Sequence, residues 1–130
     1  MPHEDCIPGS PADWLRHAYS DLELARRGRL SDKILLEELC FHAQQAVEKS
    51  LKGLLVAKGI AFPKTHNIRI LIDILPKDIA LPVEIEKSSG LTDYAVMSRY
   101  PSALEPVSEE EYQEAVQLSE FVIEWVKKNI

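Results

Sequence analysis

The chain has 130 residues, of which 45% are hydrophobic and 28% charged, and its formal net charge is −6. This length predicts one domain with a sizeable core. No apolar run approaches the roughly 18 residues of a membrane span. The start of the sequence also lacks the charged and apolar regions of a signal peptide. We therefore expect a soluble, cytoplasmic protein that has no contact with a membrane.

The acidic residues are concentrated at one end of the chain. Residues 101–130 contain seven Glu and two Lys, a balance of −5, which leaves −1 for residues 1–100. The net charge argues against a protein that coats nucleic acid without sequence preference, because binding to a phosphate backbone requires a basic surface. A locally basic cleft remains compatible with the first 100 residues.

We predict a flexible N-terminal tail over residues 1–9 and a single helical domain over residues 10–130. Ser10 has the side chain of an N-cap, Pro11 suits the first helical position, and Asp13 places an acid in the first turn. The first helix should therefore run from Pro11 to about Arg27 and end near Gly28.

The second predicted helix, capped by Ser31 and ended by Gly59, has two faces that both favour a partner. Its apolar stripe consists of Leu36, Cys40, Ala43, Val47, Leu51 and Leu54. The opposite face carries Phe41, Gln45, Glu48, Lys49, Lys52 and Val56. That face fits a subunit contact or a lined cleft, but it equally fits a central helix covered by another helix of its own chain. The residues alone leave both interpretations open.

The remaining sequence predicts three more helices. Thr65 can cap a short helix from His66 to Leu75, and a longer helix from Pro82 to Arg99 should bend near Gly90. A capping box at Ser108 starts the last helix. No strand-like alternation lasts more than a few residues. The fold class is therefore all-α, an up-and-down antiparallel four-helix bundle with one additional short helix.

Three stretches then occur in order: FHAQQAVEKSLKGLLVAKG at 41–59, PKTHNIRILIDIL at 63–75 and LTDYAVMSRYP at 91–101. Together they resemble the HEPN family, small helical proteins often encoded beside minimal nucleotidyltransferases. The resemblance covers about residues 12–128. It implies a helical bundle, usually a homodimer, with a cleft at or near the dimer contact.

One departure from the family bears on function. The resemblance to HEPN ribonucleases would require a His four to six residues after Arg99, but Ala103, Leu104 and Glu105 occupy those positions. The general acid-base group that RNA cleavage needs near neutral pH is therefore missing there. A ribonuclease would have to recruit His42 or His66 from another helix.

The resemblance and the second helix together suggest the site residues. Candidates for ligand binding are Gln45, Lys49, Lys52, His66, Arg99 and Tyr100, and candidates for a dimer contact are Phe41, Glu48 and Val56. In some HEPN proteins the partner transfers AMP to a tyrosine near the corresponding Arg, which makes Tyr100 a candidate acceptor. The spacing from Glu48 to Lys52 also fits an ordinary helical ion pair, and Arg99 fits the end of a helix.

Two functions remain open from the sequence. The first is a nucleotide- or RNA-binding homodimer that acts with a minimal nucleotidyltransferase in a toxin–antitoxin-like pair. The second is a toxin-like ribonuclease that uses Arg99 and a His from elsewhere. We expect no cofactor and no metal, because Cys6 and Cys40 lack zinc spacing and no Glu-x-x-His motif of a di-iron bundle is present.

Overall fold

The computed structural model describes residues 7–28, 30–97 and 106–130, and every regular element within them is helical. The elements are α1 (Pro11–Arg26), α2 (Leu36–Ala57), α3 (Ile68–Asp73), α4 (Val83–Ser88), a 3₁₀ turn (Ser89–Thr92), α5 (Asp93–Met97) and α6 (Glu109–Asn129). If the continuous segment from α4 to α5 is counted as one interrupted helix, these are five helices. The prediction of an all-α bundle is confirmed.

Helix α2 lies at the centre of the bundle. It packs against α1 and α6, and also against α3 and α5. All six residues of its predicted apolar stripe are buried. Helix α1 comes so close that a Cβ atom added to Gly53 would lie 3.0 Å from Cβ of Trp14. On the second face of α2 the same chain buries Glu48 and Lys52, as the central-helix interpretation predicts, but it leaves the other four residues only half-buried.

The two outer helices begin as their sequence signals predict. At α1 the Ser10 hydroxyl accepts a hydrogen bond from the Asp13 amide at 3.2 Å, and Gly28 follows the helix with a φ of 66°. At α6 both bonds of the capping box between Ser108 and Glu111 are present. The predicted inner face of α6 is buried and comprises Tyr112, Ala115, Val116, Ser119, Val122, Ile123 and Val126.

Two predicted helix starts were wrong. Helix α2 begins at Leu36 and not after Ser31, whose hydroxyl instead accepts a bond from the Lys33 amide within a turn. Helix α3 begins only at Ile68, because the Asn67 side chain caps it by accepting from the Arg69 amide. Ser and Thr side chains stabilise turns as readily as helix ends, so a suitable cap residue does not fix which turn becomes helical.

The predicted long helix from Pro82 is interrupted near Gly90, where a bend was expected. The 3₁₀ turn at Ser89–Thr92 separates α4 from α5. The hydroxyls of Ser88 and Ser89 donate back to carbonyls one turn earlier, at 2.6 and 2.9 Å, which competes with regular helical bonding. The predicted end of this helix at Arg99 lies outside the described residues. Within the part of the chain that is described, no helix is long and apolar enough to cross a membrane.

Helix α2 ends at a glycine whose backbone conformation can be tested by mutation. Gly59 has a φ of 70°, and the amides of Gly59 and Ile60 bond to the carbonyls of Val56 and Leu55 in a Schellman motif. A Gly59→Ala change should lower the free energy of unfolding by about 1–2 kcal/mol, because an L-residue is strained in the left-handed region. Gly90→Ala is the matched control, since a Cβ there meets nothing within 4 Å and the φ is not positive. Urea unfolding that gives equal stabilities for the two variants would contradict this role of Gly59.

Candidate functional site

Glu48 is the centre of a polar cluster on α2, although the residue is only 3% exposed. One carboxylate oxygen accepts from Nζ of Lys52 at 2.8 Å. The other lies 3.0 Å from Nδ1 of His66 and accepts from the side-chain amides of Gln44 and Gln45 at 3.1 and 3.3 Å. Both oxygens of the carboxylate are therefore engaged by groups of the same chain.

These contacts keep Glu48 ionised. Burial by itself raises the pKa of this carboxyl, but hydrogen bonds from Lys52, His66 and Gln44 outweigh it and hold the pKa below its usual range. The ammonium of Lys52 also lies 5.8 Å from the ring centres of both Trp14 and Phe62. Attraction to the two aromatic rings adds to the ion pair in holding this cation.

A second cluster joins α1 to α2 around Asp21. One oxygen of Asp21 lies 2.9 Å from Nδ1 of His42, and the other accepts from Nζ of Lys49 at 2.6 Å. Asp21 is itself buried. This acid lies one turn after Ala18 on the core-facing side of α1, a signal that could have identified it from sequence. Gln44, which also donates to the carbonyl of His66 at 3.1 Å, carries the same signal, because it lies one turn after Cys40 beside the apolar stripe of α2.

The structure brings some of the predicted ligand residues together. Gln45, Lys52 and His66 meet around Glu48, whereas Lys49 belongs to the Asp21 cluster. The ammonium groups of both lysines already contact carboxylates, but only Lys52 is buried, whereas Lys49 is half-buried and keeps donor capacity for a ligand. Arg99 and Tyr100 lie outside the described residues.

Burial also changes which of the three residues predicted for a dimer contact could take part in one. Phe41 and Val56 are half-buried and keep apolar surface at the edge of α2. Glu48 was predicted to take part in the contact, but its carboxylate is enclosed by its own chain. It therefore has almost no surface left to offer a second subunit.

Two concave surfaces differ sharply in charge. A cavity of about 250 Å³ beside α1 is lined by Gly9, Asp13, Trp14, His17 and Lys49. A groove of about 720 Å³ between α4 and α6 is more open. In the groove a single Lys87 faces four carboxylates, those of Glu84, Glu109, Glu110 and Glu114. Such a groove repels phosphate, so an anionic ligand is favoured on the side of α1 and α2.

Comparison with known proteins identifies the fold. The family model of the HEPN domain matches residues 11–129. The chain belongs to the HEPN family. Over 135 residues it is also 28% identical to a protein of Methanocaldococcus jannaschii named "Putative toxin MJ1304", covering 88% of this chain and 84% of that protein.

Two solved structures agree with this HEPN fold. The crystal structure of TT1696 from Thermus thermophilus superposes with a TM-score of 0.79 and 30% identity, covering 94% of this chain and 99% of the other. ST0689, an archaeal HEPN homologue, gives a TM-score of 0.70 and 28% identity, covering 92% and 96%. The predicted family and fold are both confirmed.

The buried carboxylate predicts a pH dependence of stability. The pKa of Glu48 is lower in the folded chain than the roughly 4.3 of an unfolded Glu. Its stabilising contribution is therefore complete above that value and is lost as the pH falls towards the folded pKa. Glu48→Gln should lower the free energy of unfolding at pH 7 by about 3 kcal/mol, because Lys52 is left buried without its counter-ion.

The difference between wild type and Glu48→Gln should shrink in urea unfolding at pH 3, which lies below the pKa of an unfolded Glu, so that part of the stabilising contribution of the Glu48 charge is lost. Glu114→Gln, at an exposed position of α6, is the matched control and should change stability by less than about 0.5 kcal/mol. An equal loss for Glu48→Gln at both pH values would show that its charge does not stabilise the fold.

Proposed function

We propose that this HEPN protein is a binding module, a homodimer that binds a nucleotide or RNA and acts with a minimal nucleotidyltransferase in a toxin–antitoxin-like pair. The likeness to a relative named as a toxin supports the general role. The observation that carries the binding role is a strip of α2 that its own chain leaves partly uncovered.

We call this strip the open edge of α2, and it consists of Phe41, His42, Gln45, Lys49 and Val56. All five residues are half-buried, whereas almost every other residue between Leu36 and Leu55 is buried. At 100° per residue the five lie within an arc of about 100°. Apolar side chains stand towards the two ends and polar ones between them, an arrangement that suits a subunit contact with a polar cleft at its centre.

The polar centre of the open edge has the groups that a nucleotide would need. Gln45 offers amide hydrogen bonding, Lys49 offers a positive charge, and the neighbouring His66 offers a ring nitrogen for hydrogen bonding. The proposal also retains Arg99 and Tyr100 as ligand residues that follow α5 in sequence. Lys52 serves the site indirectly, because it holds Glu48 and through it the position of His66.

The alternative function, a toxin-like ribonuclease, is supported by one observation. Nδ1 of His42 faces Asp21 and Nδ1 of His66 faces Glu48, which orients each imidazole as a carboxylate does for a general base. Against it stands the absence of a His four to six residues after Arg99. We therefore favour binding over cleavage.

The proposal predicts a dimer that depends on the open edge. Light scattering with size exclusion should give a dimeric mass for wild type and a monomeric mass for Phe41→Glu, because a charge at an apolar contact must be desolvated. Phe121→Glu, on the exposed side of α6, is the matched control and should remain dimeric. Circular dichroism checks that both variants stay helical.

A monomeric wild type, or a Phe41→Glu variant that stays dimeric, would contradict a subunit contact at the open edge.

Incubation of the same protein preparations with RNA distinguishes the binding function from the ribonuclease. Wild type should leave a short RNA intact during incubation without metal. Cleavage that disappears in His42→Asn or His66→Asn would instead establish the ribonuclease.

A further inference from the structure

The 250 Å³ cavity beside the open edge combines one aromatic wall with the ammonium group of Lys49 and the imidazole of His17. Trp14 and His17 come from α1, Lys49 comes from α2, and the turn at Gly9 closes one side. Trp14 is half-buried, so part of its ring surface remains available to a ligand. None of these residues except Lys49 was a candidate from sequence.

The indole of Trp14 is held in position before any ligand arrives. Its Cβ lies against Gly53, where a larger residue would collide. Its ring meets Phe62 edge to face, with ring centres 6.1 Å apart and an interplanar angle of 73°. A fixed ring has little entropy to lose on stacking, so the wall of the cavity is pre-organised.

The charges of the cavity are arranged to favour an anionic group near Lys49. Asp13, the acid in the lining, already accepts from the Gly9 amide at 3.0 Å and from Arg16 at 2.9 Å. Nε2 of His17 also lies 3.6 Å from Asp13. The ammonium of Lys49 donates to Asp21 but has two further protons.

We infer that this cavity binds a single nucleotide, with the base against Trp14 and the phosphate towards Lys49 and His17. The inference rests on the nucleotide-binding role proposed above and places it at a specific site. Aromatic stacking accepts any base, and cationic side chains recognise phosphate. The volume of about 250 Å³ is slightly below the roughly 300–1,000 Å³ of drug-sized ligand sites, so the cavity would enclose only part of one nucleotide and leave the rest in solvent.

AMP is the probe, and the two tryptophans of the chain provide a matched pair. Trp125 lies on α6 and does not line the cavity. AMP should quench tryptophan fluorescence in wild type and in Trp125→Phe but not in Trp14→Phe. Trp14→Phe should still bind AMP by calorimetry, since a phenyl ring can stack. Trp14→Leu should weaken binding about tenfold or more, with helical content and melting temperature as controls for folding.

Adenosine tests the phosphate contact and should bind at least several-fold more weakly than AMP. Equal affinities for the two ligands would overturn the placement of the phosphate. If calorimetry shows AMP binding that Trp14→Leu leaves unchanged, the cavity is not the site, although the nucleotide-binding function survives. If wild type binds a short RNA but not AMP, the mononucleotide site is overturned and the RNA arm of the proposed function remains.

Discussion

Glu48 places a negative charge at a nearly dry position of the central helix, and the surrounding structure is arranged to compensate it. An uncompensated carboxylate at such a position would cost several kcal/mol of desolvation. Compensation comes from Lys52 and Gln44 on the same helix and from His66 in the connection before α3. Nζ of Lys52 in turn lies 5.8 Å from the ring centres of both Trp14 and Phe62. The one charge therefore helps to fix the connection to α3 and the approach of α1.

Because these charges are paired within the chain, fewer residues of α2 are available to bind a ligand or a second subunit. Glu48 and Lys52 neutralise each other and are buried, so neither is available to a ligand or a second subunit. Of the predicted second face of α2, only the residues of the open edge can still contact a partner. That edge lies beside a cavity lined by Lys49 and His17, whereas the groove between α4 and α6 is acidic. A HEPN protein that binds a nucleotide or RNA should use the first surface and leave the second to solvent or to a basic partner.

Local signals predicted the ends of α1 and α6 correctly, because caps such as Ser10 and the box at Ser108 act within one turn. They failed at Ser31 and Thr65, where the same side chains stabilise turns. The two-faced pattern of α2 was visible in the sequence, but periodicity does not distinguish cover by the same chain from cover by another. The ion pair of Glu48 was predicted from its spacing. Its burial and its contacts with Gln44 and His66 were not, because they depend on the tertiary fold.

The central claim is that Glu48 and Lys52 stabilise the fold as a buried, coupled pair. A double-mutant cycle with Glu48→Gln, Lys52→Met and the double variant, followed by urea unfolding at pH 7, measures that coupling directly. We predict a coupling free energy of about 2 kcal/mol or more, because each single change leaves its partner buried and uncompensated. A value below about 0.5 kcal/mol, typical of exposed ion pairs, would contradict the claim.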